Sequence, residues 1–208
     1  MAPAPDEPET DLLLASVHDA EVRGRLFERY RARLKRMIAV RLDRRLAPRL
    51  DPSDVVQDVL LDAERHLDDY AQKRPIPFYP WLRRLAKDQL HEVYRRHVAA
   101  EKQTVTREQP LHVGLPDESA WELAERVFAV DADPATRLRQ EEVRARVQAA
   151  LAGLPETDRE VLVMRHLEHL PPEEIATVLG VTVAAIYTRH LRAVRRLKAL
   201  LIQEGGDQ

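Results

Sequence analysis

Arg189, Arg192, Arg195, Arg196 and Lys198 crowd the stretch from Val183 to Leu200, which contains no acid. Guanidinium and ammonium groups repeated along one helix neutralise phosphates, and a guanidinium fork also hydrogen-bonds base edges. Such residues need a rigid support that delivers them into a groove. The preceding residues read as that support: a short helix carrying Ile175, Val178 and Leu179, a tight turn at Gly180-Val181-Thr182, then a second helix from near Val183. This is helix-turn-helix grammar, in which one helix buttresses and the next enters the DNA major groove.

Two further stretches carry chemistry of a different kind. From Asp51 to Tyr70 there are seven acids and one Arg. Val56, Val59, Leu60, Ala63 and Leu67 make one apolar stripe there, while Asp54, Gln57, Asp58, Asp62 and Asp69 lie opposite. An acidic face does not suit DNA; it is solvated or meets a basic protein surface. The helix from Pro80 to His97 places Arg83, Arg84, Lys87, Arg95 and Arg96 away from Leu82, Ala86, Leu90 and Val93. Phe78, Tyr79, Trp81 and Tyr94 gather around it in a chain that is only 5% aromatic. Aromatic rings beside cations hold unstacked bases. Phe78 and Trp81 read as core, and Tyr79 with the basic residues as the nucleic-acid candidates.

Catalytic and metal chemistry finds little support. Cysteine is absent, which excludes disulfides, CxxC sites and thiol catalysis. No glycine-rich phosphate loop occurs. His91-Glu92 lacks its second ligand, because Arg95 stands where HExxH needs His. His166, Glu168 and His169 are also mis-spaced. No enzyme activity, cofactor or metal is expected. The Pro-rich acidic N-terminus is no signal peptide, and no apolar run can span a bilayer, so a cytoplasmic protein without membrane insertion follows.

The elements that position these groups are all helical. The expected fold is all-α: two small helical domains joined by a flexible linker, the C-terminal one a helix-turn-helix. Residues 1–10 read as a disordered tail and 11–100 as the first domain. Leu26, Tyr30, Leu34, Ile38 and Leu42 line one face of a helix over Val22–Leu42, amid ten basic residues and two acids between Val22 and Arg45. That basic surface is either solvated or phosphate-facing. Asp51 and Pro52 mark a helix start. Residues 101–134 read as an acidic linker, with a short helix at Ala120–Phe128, and 135–203 as the second domain. A net charge of −2 conceals this segregation and does not argue against nucleic acid.

Two stretches together carry a family resemblance. DPSDVVQDVLLDA, followed by a WLRRLA helix ending in YRRH, resembles region 2 of an extracytoplasmic-function (ECF) sigma factor of the σ70 family. LAGLPETDREVLVMRHLEHLPPEEIATVLGVTVAAIYTRHLRAVRRL resembles region 4. Helix-turn-helix patterns alone also occur in LuxR-type regulators and transposases; the pairing is the specific signal. The resemblance implies a subunit that binds core RNA polymerase, directs it to promoters and promotes DNA opening. It implies that Asp54, Gln57 and Asp58 dock on the clamp coiled coil of the largest subunit, with the flap region as a further polymerase contact. It implies that Lys73, Arg74, Tyr79, Arg83, Arg84 and Lys87 hold the −10 element as single strand. For the −35 duplex it implies Thr182, Ala184, Ala185, Tyr187, Thr188, Arg189, Arg192, Arg195 and Arg196, the last two and Lys198 toward phosphate or polymerase. An anti-sigma factor is a common partner in the family.

The chain departs from the family pattern at several points. Pro171 and Pro172 replace a small-polar and aromatic pair, Tyr187 stands where Lys is common, and His190 where Leu is usual. His190 reads as a half-buried, hydrogen-bonded histidine or as a pH sensor. The competing reading of the whole chain is a two-domain transcription regulator that binds duplex DNA without being a polymerase subunit.

Overall fold

The computed structural model describes residues 7–42, 46, 50–101, 115–128 and 137–203. The described residues are helical, with no strand among them, and the chain divides into two compact units, Met1–Gly114 and Leu115–Gln208.

The first unit contains α1 (Glu7–Ala15), α2 (Ala20–Arg41), α3 (Pro52–Lys73) and α4 (Phe78–Glu101). α2 is started by Asp19, whose carboxylate accepts from Glu21 N at 2.8 Å, and its Leu26, Tyr30, Leu34 and Ile38 are all buried, followed by Leu42. α3 begins on Asp51, which accepts from Ser53 N at 2.6 Å, with Pro52 in the first turn. α3 packs on both α2 and α4. α4 starts at Phe78, two residues before Pro80, so the Pro-rich connection is shorter than the sequence suggests. Phe78 sits among Phe27, Tyr30, Tyr70 and Trp81, with ring centroids 5.3–6.5 Å away. Thr10 meets the Tyr30 hydroxyl at 2.6 Å inside the unit, and α1 packs on α2. Residues 7–10, expected in a disordered tail, are therefore helix; 1–6 lie outside the described residues.

The second unit contains α5 (Asp117–Phe128), α6 (Arg137–Ala152), α7 (Glu156–His166), α8 (Pro172–Leu179) and α9 (Val183–Gln203). α5 occupies much of the expected linker yet belongs to this unit. Ala120, Leu123 and Ala124 are buried, and the helix packs on α6 and α7. Gln148 donates to Leu115 O at 3.0 Å and Arg126 to His166 O at 2.6 Å. Trp121 Nε1 donates to Glu125 on the same helix. The rest of the expected linker, 102–114 and 129–134, lies outside the described residues. α8 closes on Gly180, which sits in the left-handed region at φ 65° and donates to Ala176 O and Thr177 O. Val181 N returns to Ala176 O at 3.0 Å, and Thr182 Oγ1 accepts from Ala185 N at 3.2 Å to start α9. Ile186, Ala193 and Leu197 turn inward.

Candidate polymerase and nucleic-acid interfaces

The buried stripe of α3 fixes what its other side presents. Val55, Val56, Val59, Leu60 and Ala63 are in the core, so Asp54, Gln57 and Asp58 are exposed on one face. Leu61 follows them one turn on and is exposed as well. Leu61 adjoins the core residue Leu60, which masks it in the sequence; its spacing of seven from Asp54 is the signal that places it on this face.

The surface around the α3–α4 turn is smaller than expected. Tyr79 is 6% and Arg83 2% exposed, so neither lies at a surface open to a strand. The Tyr79 ring lies parallel to Tyr30 at 5.9 Å, and the Arg33 guanidinium sits 3.9 Å from the Tyr79 ring centroid. Tyr79 and Arg83 are four residues apart on α4, on its inward side. Lys73, Arg74 and Arg84 are exposed and Lys87 is half-buried. Arg74 caps α3 at φ 37° and pairs with Asp11 at 2.7 Å; Lys73 pairs with Asp69. Trp81, expected in the core with Phe78, is half-buried. It stacks on Tyr70 at 4.4 Å with 21° between planes, and the Tyr70 hydroxyl donates to Ile76 O at 2.8 Å. The aromatic ring left accessible near the α3–α4 turn is therefore the half-buried Trp81 rather than Tyr79.

On α9 the leading turn is polar but internally occupied. Thr182 caps the helix, and Thr188 Oγ1 donates to Ala184 O at 3.0 Å. Ala184, Tyr187, Thr188 and Arg195 are exposed; Ala185 and Arg189 are half-buried. This geometry presents a cationic helix outward from a turn that glycine and threonine define.

Comparison with known proteins gives these two units their relatives. Sigma-70 region 2 matches residues 26–99, and Sigma-70, region 4 matches residues 144–197. The RNA polymerase sigma factor CnrH of Cupriavidus metallidurans is 32% identical over 151 residues, which cover 73% of this chain and 73% of that protein. The chain belongs to the ECF sigma factors of the σ70 family. The ECF RNA polymerase sigma-E factor of Escherichia coli K12 is 30% identical over 147 residues, 69% of this chain and 70% of that protein. A solved structure of CnrH in complex with the cytosolic domain of CnrY superposes with a TM-score of 0.51 at 25% identity, covering 93% of this chain and 97% of that one. Sigma factors are transcription initiation factors, so the separate regulator reading is set aside: the first unit is region 2, not a sensing module. α1 and α5 lie outside both matched ranges.

Within region 4 of this sigma factor, two expected duplex contacts have another occupation. Asp158, in the first turn of α7, is fully buried and receives Arg192 Nη2 at 2.6 Å, Arg192 Nε at 3.1 Å and Arg196 Nη1 at 3.0 Å. Hydrogen bonding from Arg192 holds the Asp158 carboxyl below its ordinary range, and the same contact raises the Arg192 guanidinium. Arg192 and Arg196 therefore tie α9 to α7. His190 meets His166 head to head, Nε2 to Nε2 at 2.9 Å with ring centroids 5.1 Å apart. Desolvation, then the neighbouring His190, Arg165, Arg126 and His169, push His166 down to about 4; desolvation and Arg165 also lower His190. His190 is thus a half-buried, hydrogen-bonded residue standing where an apolar one would pack.

Proposed function

We propose that this sigma factor engages core RNA polymerase through the exposed α3 face of Asp54, Gln57, Asp58 and Leu61, and promoter DNA through α4 and α9. An acidic stripe with one apolar residue suits a basic helical surface such as the clamp coiled coil of the largest subunit. Lys73, Arg74, Arg84 and Lys87, together with the half-buried Trp81, suit a single strand, through backbone neutralisation and stacking. α9, with no acid between Val183 and Gln203, suits the −35 duplex, and the second unit is also the candidate for the flap region. DNA opening follows from differential affinity: a surface that prefers unstacked bases shifts the duplex equilibrium without nucleotide hydrolysis. Two DNA-binding units on one chain gain effective concentration at a promoter carrying both elements.

The observation that carries this reading is the pairing of region 2 and region 4 on one chain with acidic and basic faces segregated between α3 and α9. The proposed location is the cytoplasm, where polymerase works; among the described residues no helix is long and apolar enough to cross a membrane. A protein that occludes these surfaces, of the anti-sigma kind, is the proposed regulator. CnrH was solved in complex with the cytosolic domain of CnrY. The test is reconstitution with core polymerase. The full chain should co-elute with core and support transcription from a selected promoter. Asp58→Arg should weaken core association at least tenfold with unchanged melting, as a charge reversal in a contact does (about 1.4 kcal/mol or more). Equal affinity of Asp58→Arg and parent would defeat the docking assignment.

A further inference from the structure

The outward face of α9 carries two large apolar side chains among its cations, where a DNA-reading helix is expected to be polar. Ala184, Tyr187, Thr188, Leu191, Arg195 and Lys198 fall within an arc of roughly 100° on a 3.6-residue helix. Buried Ile186, Ala193 and Leu197 occupy the opposite side. Tyr187 is 59% and Leu191 51% exposed. The polar groups nearby are largely spent inside the unit. Thr182 caps α9, Thr188 donates its hydroxyl proton to Ala184 O, and Arg192 and Arg196 are held by Asp158. Arg189, Arg195 and Lys198 pair with no acid among the described residues, so the two apolar side chains stand among positive charge. That combination fits a polyanion with apolar groups on its accessible surface. The major groove offers one such group, the C5-methyl of thymine.

We infer that Tyr187 and Leu191 read thymine methyl groups in the duplex element bound by α9, and that Leu191 is a specificity-determining residue. The four residues between them rise about 6 Å along the helix, close to two base-pair steps of about 3.4 Å. The two side chains therefore address methyls about two base pairs apart. This inference rests on the proposed role of α9 as the −35 reader and adds to it which chemical group is read. It also gives the exposed Leu191 a place beside Tyr187.

The test uses the full chain with core polymerase and a randomised duplex upstream of a fixed −10 region. Selection should enrich an element with thymines at two positions about two base pairs apart. Deoxyuridine then replaces each thymine, deleting one methyl and no hydrogen-bonding group. Binding should weaken about fourfold at each position, the equivalent of about 0.8 kcal/mol for one buried carbon. Leu191→Ala, at an exposed site and with unchanged melting, should abolish the sensitivity at one position and keep it at the other. Tyr187→Ala should do the converse. No enriched element would remove the −35 role and this inference with it. An enriched element that ignores deoxyuridine, or whose sensitivity survives Leu191→Ala, would leave the −35 role standing and overturn methyl reading.

Discussion

Replacing Asp158 by Ala tests whether α9 is held in register by a clamp or only by apolar packing. The carboxylate is fully buried and takes three hydrogen bonds from Arg192 and Arg196. A charge-assisted hydrogen bond contributes about 1.5–3 kcal/mol, and breaking a buried pair costs about 3–5 kcal/mol. Both arginines are half exposed, so water re-solvates them once the acid is gone. Solvent screening pulls the cost toward the low value of surface pairs, leaving about 2 kcal/mol. With urea slopes of about 1–2 kcal/mol per molar for a unit of this size, the second unit's midpoint should fall by about 1–2 M. Circular dichroism during urea titration of the full chain reads this. Arg192→Gln should account for more than Arg196→Gln, since Arg192 makes two of the three bonds. In Asp158→Ala, adding Arg192→Gln should cost almost nothing. The depressed carboxyl supplies stability above its ordinary value of 3.8, and this is lost as pH falls below it through the lowered folded value. An Asp158→Ala midpoint within about 0.2 M of the parent would refute the clamp, the difference being near the error of extrapolated free energies.

Other outcomes follow from the same unit. His166 has a folded pKa of about 4 against an ordinary 6.5, so the unfolded chain binds the proton first on acidification. Stability should fall between pH 6.5 and about 4, by about 1–2 kcal/mol after discounting for the half-exposed ring. His166→Gln should flatten that slope in urea titrations at stepped pH; an unchanged slope would remove the pair as its source. Gly180→Ala should destabilise by about 1–2 kcal/mol, the cost of a Cβ at positive φ. No atom stands within 4 Å of that Cβ, so the loss is entirely backbone, and Gly180→Asn should recover part of it. Equal melting of Gly180→Ala and parent would argue against the left-handed turn.

Periodicity made the helices legible. The Leu26–Tyr30–Leu34–Ile38 ladder, the Asp51-Pro52 start and the Gly180 turn are local signals, and each stands where its pattern places it. What the sequence hid is long-range. Asp158 is by position an ordinary first-turn acid of the kind the helix dipole favours, and its partners lie 34 and 38 residues away. Tyr79 and Arg83 looked like surface groups because their residue types bind strands. Tyr79 instead packs on Tyr30 and Arg33, about 50 residues earlier in the chain, and Arg83 follows one turn on along the same inward side. α5 was half-visible: Ala120, Leu123 and Ala124 carry helical spacing, but the surrounding acids and the absence of strong caps made a linker the simpler reading. The exposed α3 face needed only its own stripe, which is why Asp54, Gln57 and Asp58 are where the pattern put them.

The two tryptophans fall one to each unit. Trp81 rests on Tyr70 in the first, and Trp121 is tied to Glu125 in the second. The chain therefore carries two native fluorophores that can be read separately. In Trp121→Phe the emission reports the α3–α4 surface alone, and stacking of a base on the indole would register as quenching. In Trp81→Phe the remaining signal follows α5 alone. Strand capture at the proposed α3–α4 surface and α5 behaviour can thus be timed in parallel reactions with the two variants, without an attached dye.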